Sequence, residues 1–433
     1  MDSSVSSRAE AGTGLSVGPR SSEEPSPGSA GAAPPFPEEA PWTTRADEIA
    51  LLFACTRATA PDGPEIREYV GPDLDWTFVL EQAARHGVDP MLHRSLSGLD
   101  DGAVPTAVRD ALRARGEGVL AYNLHRLRVL LEVVEVLESE AIPALSVKGP
   151  VLADRYYENV GLRRFADLDL LVPRPALRRA DALLRDRGFE PADERADGEL
   201  TQRIEDQVGV DLVRPEDGVR VELHWAFLNE SFAFPLDPEA ARARAEQHHV
   251  GGQSVRVLSD EDLLLYLCAH GTKHHWARLK WVCDVAEVCR GASGVDWERL
   301  GDRAGRLDVD RVLLLGLRLA RRWLGAPVPE GLRDRLHGEP ALSALVRQVE
   351  AAWLFTKEGL DRTPRWDQLA FFLRTRRRWR NRWPLLREYG GLALTPTGKD
   401  RAVLDLPPSA SFLYYVIRPL RLLGLVRPGT GAG

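Results

Sequence analysis

The alternation of apolar and polar positions divides the 433-residue chain into stretches of different period. Residues 1–40 are mostly Ser, Gly, Pro, Ala and Glu, with almost no large apolar side chain. Such a stretch buries too little surface to offset its ordering entropy, and a disordered tail is expected. From Ala46 the spacing becomes helical. Ile49, Leu51, Leu52 and Phe53 mark one helix; Trp76, Val79, Leu80 and Ala83 mark a second. Leu120, Leu124, Leu127, Leu131, Val134 and Leu137 recur at steps of three and four, which predicts a long third helix ending before Pro143.

The period then shortens. Ala144 to Val147 predicts a short strand leading into Lys148-Gly149-Pro150, and Pro150 suits the first turn of a helix that ends near Tyr157. Phe165 to Val172 predicts a strand, bounded by Pro173 and Pro175. Leu177, Ala180, Leu183 and Leu184 give a helix that Gly188 can close. Gly209 to Val213 and Val219 to Trp225 are strands around the turn-forming Pro215-Glu216-Asp217-Gly218. Beyond Ser259, a capping residue, the pattern is helical: 260–273, 277–290, 296–306, 309–324, 341–357 and 366–380. The order implies an α+β fold. An N-terminal helical region at 41–142 precedes an α+β core at 143–258, and a C-terminal helical domain fills 259–433.

Composition narrows this only slightly. An apolar fraction of 44% and a charged fraction of 28% suit a folded core, and a net charge of -7 advertises no general affinity for nucleic acid. Cys55, Cys268, Cys283 and Cys289 form no CxxC pair, so buried free thiols in a reducing compartment are expected. With no basic-then-apolar leader and no run near the ~18 apolar residues that span a bilayer, a cytoplasmic location is expected.

The chemistry concentrates in Phe165-Ala166-Asp167-Leu168-Asp169-Leu170-Leu171-Val172. Residues two apart on a strand share a face, so Asp167 and Asp169 present two carboxylates with Cα atoms roughly 6.6 Å apart. Leu168 and Leu170 take the other face. Like charges so placed repel unless a cation lies between them, and hard divalent ions are held by one or two carboxylates plus substrate phosphates. Two such ions can serve both the attacking and the leaving oxygen of a phosphoryl transfer. A bare Asp-x-Asp is also ordinary on a half-exposed strand. Its setting, after a strand, Lys-Gly-Pro and a helix, is rarer.

Lys148-Gly149-Pro150-Val151-Leu152, then Tyr156 or Tyr157, then Arg163 and Asp167-Leu168-Asp169-Leu170-Leu171-Val172 together resemble a group of uncharacterised bacterial nucleotidyltransferases of the DNA polymerase beta-like superfamily. The likeness continues through Val221-Glu222-Leu223-His224-Trp225 and His270-Gly271-Thr272-Lys273-His274. It implies a small mixed sheet, a nucleoside triphosphate such as ATP as substrate, and Mg²⁺, as two ions. It implies that Asp167 and Asp169 ligate both metals. A third acid completes the site and helps deprotonate the acceptor; Glu222 holds that position, with Asp211 as competitor.

Gly149 stands eighteen residues before Asp167 and follows a lysine, a departure from better-studied superfamily members. Gly149 permits close backbone approach at a helix N-terminus, where Lys148 can neutralise a triphosphate. Arg163 can bind phosphate or pair with Asp167. His270, Lys273 and His274 lie one helical turn apart and are expected to pack over the catalytic sheet, contributing to base or acceptor recognition or to structure alone. Arg374 to Arg387 carries seven arginines around Trp379 and Trp383. An exposed amphipathic helix is the favoured reading there, ahead of a nucleic-acid or membrane surface. The acceptor is not legible. The other functional class left open is a catalytically inactive nucleotide-binding or scaffold protein.

Overall fold

Alternation along Asp167–Leu171 decides how the layers stack. Leu168 and Leu170 are buried with one core, while Leu171 on the opposite face belongs to another. In this computed structural model the described residues are 45–57, 66–99, 102–192, 208–229, 232, 234–352, 365–394, 398–401, 403–404 and 406–422. The expected disordered tail lies outside them.

The strands are β1 (Leu145–Ser146), β2 (Asp167–Leu171), β3 (Glu190–Pro191), β4 (Gly209–Arg214), β5 (Val219–His224), β6 (Glu246–Val250) and β7 (Gln253–Val257). They form a seven-stranded mixed sheet in the order β3-β4-β5-β2-β1-β7-β6. β2 runs parallel to β5 and antiparallel to β1, and β1 runs parallel to β7. The helices of the N-terminal region are α1 (Ala46–Cys55), α2 (Trp76–His86), α3 (Asp89–Ser97) and α4 (Thr106–Ser139). Within the sheet region lie α5 (Pro150–Tyr156), α6 (Leu177–Arg185) and α7 (Pro238–Ala243). After it come α8 (Asp260–Lys273), α9 (Leu279–Gly291), α10 (Trp297–Arg306), α11 (Asp310–Leu324), α12 (Glu330–Gly338), α13 (Pro340–Ala352), α14 (Arg365–Arg374), α15 (Trp379–Leu394), α16 (Gly398–Arg401) and α17 (Tyr414–Leu422). The α+β class is as the sequence predicts.

One sheet face packs on α4 and α6. Val210, Leu212, Val221 and Leu223 join Leu127, Leu130, Val134 and Leu137 of α4, and Leu177, Ala180 and Leu184 of α6, in one apolar core. The second core joins the N-terminal helices to the helices that follow the sheet: Phe53 of α1 meets Trp323 of α11 with ring centroids 5.6 Å apart. The acid-bearing face of β2 and β5 looks toward this helical layer. All four cysteines are free and buried, as expected. Among the described residues no helix is long and apolar enough to cross a membrane.

Two departures from the predicted elements have physical causes. β6 and β7 were not expected, because Glu246-Gln247-His248-His249 is too polar to alternate visibly. Their signal is the Gly251-Gly252 turn, where both residues take positive φ (58° and 82°), as a tight hairpin requires. The helix expected over 366–380 instead stops at Arg374, and α15 begins at Trp379. The break is pinned from outside: Asp308 accepts from the backbone N–H of Arg377 and Arg378 (3.3 and 3.1 Å) and from Asn381 Nδ2 (2.7 Å). Arg376 is buried and donates to the Phe232 carbonyl. Arg377 pairs with Asp310 and Glu339, whereas Arg378, Arg380 and Arg387 are exposed, as are Trp379 and Trp383. Residues 353–357 of the helix predicted at 341–357 lie outside the described residues.

Candidate functional site

Parallel pairing of β2 with β5 sets Asp167 opposite Arg220, Asp169 opposite Glu222 and Leu171 opposite His224. Antiparallel pairing of β4 with β5 sets Asp211 opposite Glu222 and Gly209 opposite His224. Directly opposed residues share a sheet face. One face therefore carries Asp169, Glu222 and Asp211 in a row across three strands, with Asp167 and His224 flanking it.

Two cations fill the gaps between the acids. Lys148, buried where β1 runs into α5, contacts Asp169 Oδ2 and lies 3.3 Å from Asp167 Oδ2. Burial opposes its charge, but Asp169 and then Asp167 outweigh that and hold its pKa above the usual lysine range. His224 Nε2 lies 3.0 Å from Glu222 Oε2 and 3.3 Å from Asp169 Oδ1. Burial again disfavours the charged ring, yet the bonds to Asp169 and Glu222 prevail and lift its pKa to about 9. Burial would raise the Asp169 carboxyl, but Lys148 and His224 hold it below the usual carboxylate range. The site is thus a chain of alternating charges, Asp167–Lys148–Asp169–His224–Glu222. Gly209 makes the room for His224: a Cβ there would lie 2.7 Å from Nδ1.

Asp169, Glu222 and His224 can each offer a ligand atom, all within 4.8 Å of one another. Carboxylate oxygens with one imidazole suit a divalent ion such as Mn²⁺, and the two acids suit Mg²⁺. The Lys148 ammonium, held between Asp167 and Asp169, occupies a position that calls for positive charge. The donor set therefore fits a metal ion. Of the two candidates for the third acid, Glu222 falls in this group; Asp211 is exposed and does not. Asp167 is linked to it through Lys148. His224 completes the group. Its signal was Glu222-Leu223-His224, the same two-residue spacing that pairs Asp167 with Asp169.

Gly149 caps α5 with φ 77° and ψ −135°, a conformation that only glycine adopts readily. A Cβ there would lie 3.3 Å from the Asp167 carbonyl. Arg163 serves this loop and reaches neither a free surface nor the Asp167 carboxylate. Its Nε and Nη2 grip Asp284 at 2.6 and 2.8 Å, and Nη1 donates to the Gly149 carbonyl at 3.5 Å. Tyr157 donates to the same Asp284 at 2.7 Å. The guanidinium is buried, so its fork is spent on positioning the loop and α9.

His270 and Lys273, on α8, lie within electrostatic reach of Lys148 and Asp169. Burial drives the His270 pKa well below the ordinary range, and burial with Lys273 takes His274 to about 4, so both rings are neutral at pH 7. The His270 and His274 rings lie 4.7 Å apart, and His274 stacks on Trp281 at 5.0 Å. They form a neutral aromatic wall beside the acids, outside the group of metal donors.

Comparison with protein families matches residues 72–325, more than half the chain, to a family described as an uncharacterised nucleotidyltransferase. Comparison with curated proteins finds no match. Among solved structures, the antibiotic-resistance factor ANT(2'')-Ia is similar at 16% identity and a TM-score of 0.31, covering 41% of this chain and 90% of that one.

Proposed function

The chain belongs to the family of uncharacterised nucleotidyltransferases, and from that premise we propose that it transfers a nucleoside monophosphate from a nucleoside triphosphate to a hydroxyl or phosphate oxygen of an acceptor. The observation that carries the reading is the register that sets Asp169 beside Glu222, with Lys148 between Asp169 and Asp167. A divalent cation such as Mg²⁺, held by Asp169 and Glu222 with Asp167 and His224 adjoining, would supply charge for the phosphates and the leaving pyrophosphate.

The chain's own residues do the rest. Lys148, seated between Asp167 and Asp169, would offer its ammonium to the triphosphate where those aspartates are neutralised by a bound divalent ion. Gly149 allows the backbone to come close to phosphate. The acceptor oxygen attacks the α-phosphorus, the bond to the bridging oxygen of the β-phosphate breaks, and pyrophosphate departs. Glu222, partly exposed beside His224, accepts the acceptor's proton. His270, His274 and Trp281 give an uncharged aromatic cluster, with His274 stacked on Trp281 and His270 edge-on to it, suited to a base or a ring of the acceptor.

The test incubates the full chain with each of the four nucleoside triphosphates, a divalent metal and pooled small-molecule and peptide acceptors. Pyrophosphate release and product mass are followed. The expected result is a product heavier by one nucleoside monophosphate, lost in Asp169→Asn. Nucleotide binding without turnover against any acceptor would favour a scaffold instead.

A further inference from the structure

A cleft of about 470 Å³ opens between α4, the turn joining α2 to α3, and the start of α9. Phe165 and Ala166 line it and run directly into Asp167. Its cations converge from separate elements: Arg115 on α4, Arg164 before β2, and Arg278 and Lys280 at the head of α9.

Of these four, among the described residues, only Arg164 has a carboxylate partner, Asp89 at 2.6 Å. Arg115 donates to the Leu80 carbonyl at 3.2 Å and Lys280 to the Arg164 carbonyl at 3.4 Å. Burial, and then Arg163, push the Lys280 pKa down to about 8 against the pull of Asp284, and burial with Arg278 lowers that of nearby Arg85. Four cationic side chains thus line one cleft in which, among the described residues, a single ion pair is formed.

A second observation points to a ligand. Asn123, fully buried, lines the same cleft. Its Nδ2 donates to the carbonyls of Val160 (2.6 Å) and Arg163 (2.8 Å), which fixes the amide orientation, and its Oδ1 is left without a partner. An orphaned buried acceptor calls for a donor. Cations with one hydroxyl acceptor beside them match a phosphorylated sugar. We propose that this cleft binds a phosphorylated group beside Asp167, either the tail of the nucleoside triphosphate or a phosphate on the acceptor; this identification of the reactants rests on the nucleotidyl-transfer reading.

The experiment is calorimetric titration of the full chain, in metal-free buffer, with sodium tripolyphosphate and with ribose 5-phosphate. Arg278→Ala and Lys280→Gln are compared with Arg380→Ala, an exposed control on α15. At least one probe binds, each cleft variant weakens binding about tenfold or more, the control matches wild type, and thermal melts are unchanged. Tripolyphosphate displaced by ATP assigns the nucleotide tail; ribose 5-phosphate that still binds with ATP present assigns the acceptor. Binding of neither probe, or equal loss in the control, overturns the proposal. Pyrophosphate release assayed in parallel separates the two ideas. Release without probe binding removes the cleft alone, and probe binding without release removes the catalytic reading alone.

Discussion

The ammonium of Lys148 bridges the two aspartates of β2, touching Asp169 and lying 3.3 Å from Asp167 Oδ2. A cation from the protein thus holds the position between two carboxylates that a divalent ion would also seek. The two compete for the same charge.

Removing that ammonium leaves a buried carboxylate uncompensated. Lys148→Met is therefore expected to lose about 3–5 kcal/mol of stability in metal-free buffer, the usual cost of breaking a buried pair from one side. Mn²⁺ should recover much of this in the variant and stabilise the wild type less. Urea denaturation with and without Mn²⁺ reads both quantities. Equal stabilisation of the two proteins would mean that lysine and metal do not share a place.

The Arg163–Asp284 fork ties the Gly149 loop to α9. Arg163→Lys keeps the charge but cannot form two parallel bonds, so a loss of about 1–3 kcal/mol is expected. Nucleotidyl transfer should fall as the loop loosens. A variant with wild-type melting and wild-type turnover would show that the fork positions nothing.

Gly209→Ala is expected to act through His224. Its Cβ would lie 2.7 Å from Nδ1 and 3.1 Å from the Leu223 carbonyl, so the ring is expected to shift relative to Asp169 and Glu222. Metal affinity should drop about 10–100-fold, as when a group that orients or completes a metal site is lost. Mn²⁺ titration followed by electron paramagnetic resonance measures it; unchanged affinity would remove His224 from the site.

Glu287 is buried and pairs with Arg290 at 2.7 Å. Burial lifts its pKa to about 7 despite Arg290. A carboxyl with a raised folded-state pKa contributes stability below the unfolded value near 4.5, and that contribution is lost as pH rises through about 7. Stability should decline across this window, and Glu287→Gln should flatten the decline. Denaturant midpoints at intervals from pH 4.5 to 8 test it; parallel curves would contradict it.

Local pattern carried much of this site. Asp167 and Asp169 are legible because strand alternation is a two-residue property, and Lys148-Gly149-Pro150 because a strand-to-helix turn is equally local. Glu222 is favoured over Asp211 already in the sequence; the parallel register of β2 with β5, which no spacing encodes, is what sets Glu222 directly opposite Asp169 and Asp211 one strand further away. Arg163 looked available for phosphate because its partner, Asp284, is 121 residues away. Arg374–Arg387 looked like a continuous exposed face because the burial of Arg376 depends on Phe232, 144 residues distant. Non-local contacts decided each case where pattern left alternatives open.

Acids from β2 and β5 are expected to hold a divalent ion for nucleotidyl transfer. Crystals of the full chain soaked with Mn²⁺ and a non-hydrolysable nucleoside triphosphate test it by anomalous scattering. The expected result is a peak about 2.0–2.3 Å from oxygens of Asp169 and Glu222, with Lys148 turned toward the phosphates. Nucleotide bound with no metal peak at these carboxylates, and Lys148 still seated between Asp167 and Asp169, would contradict it.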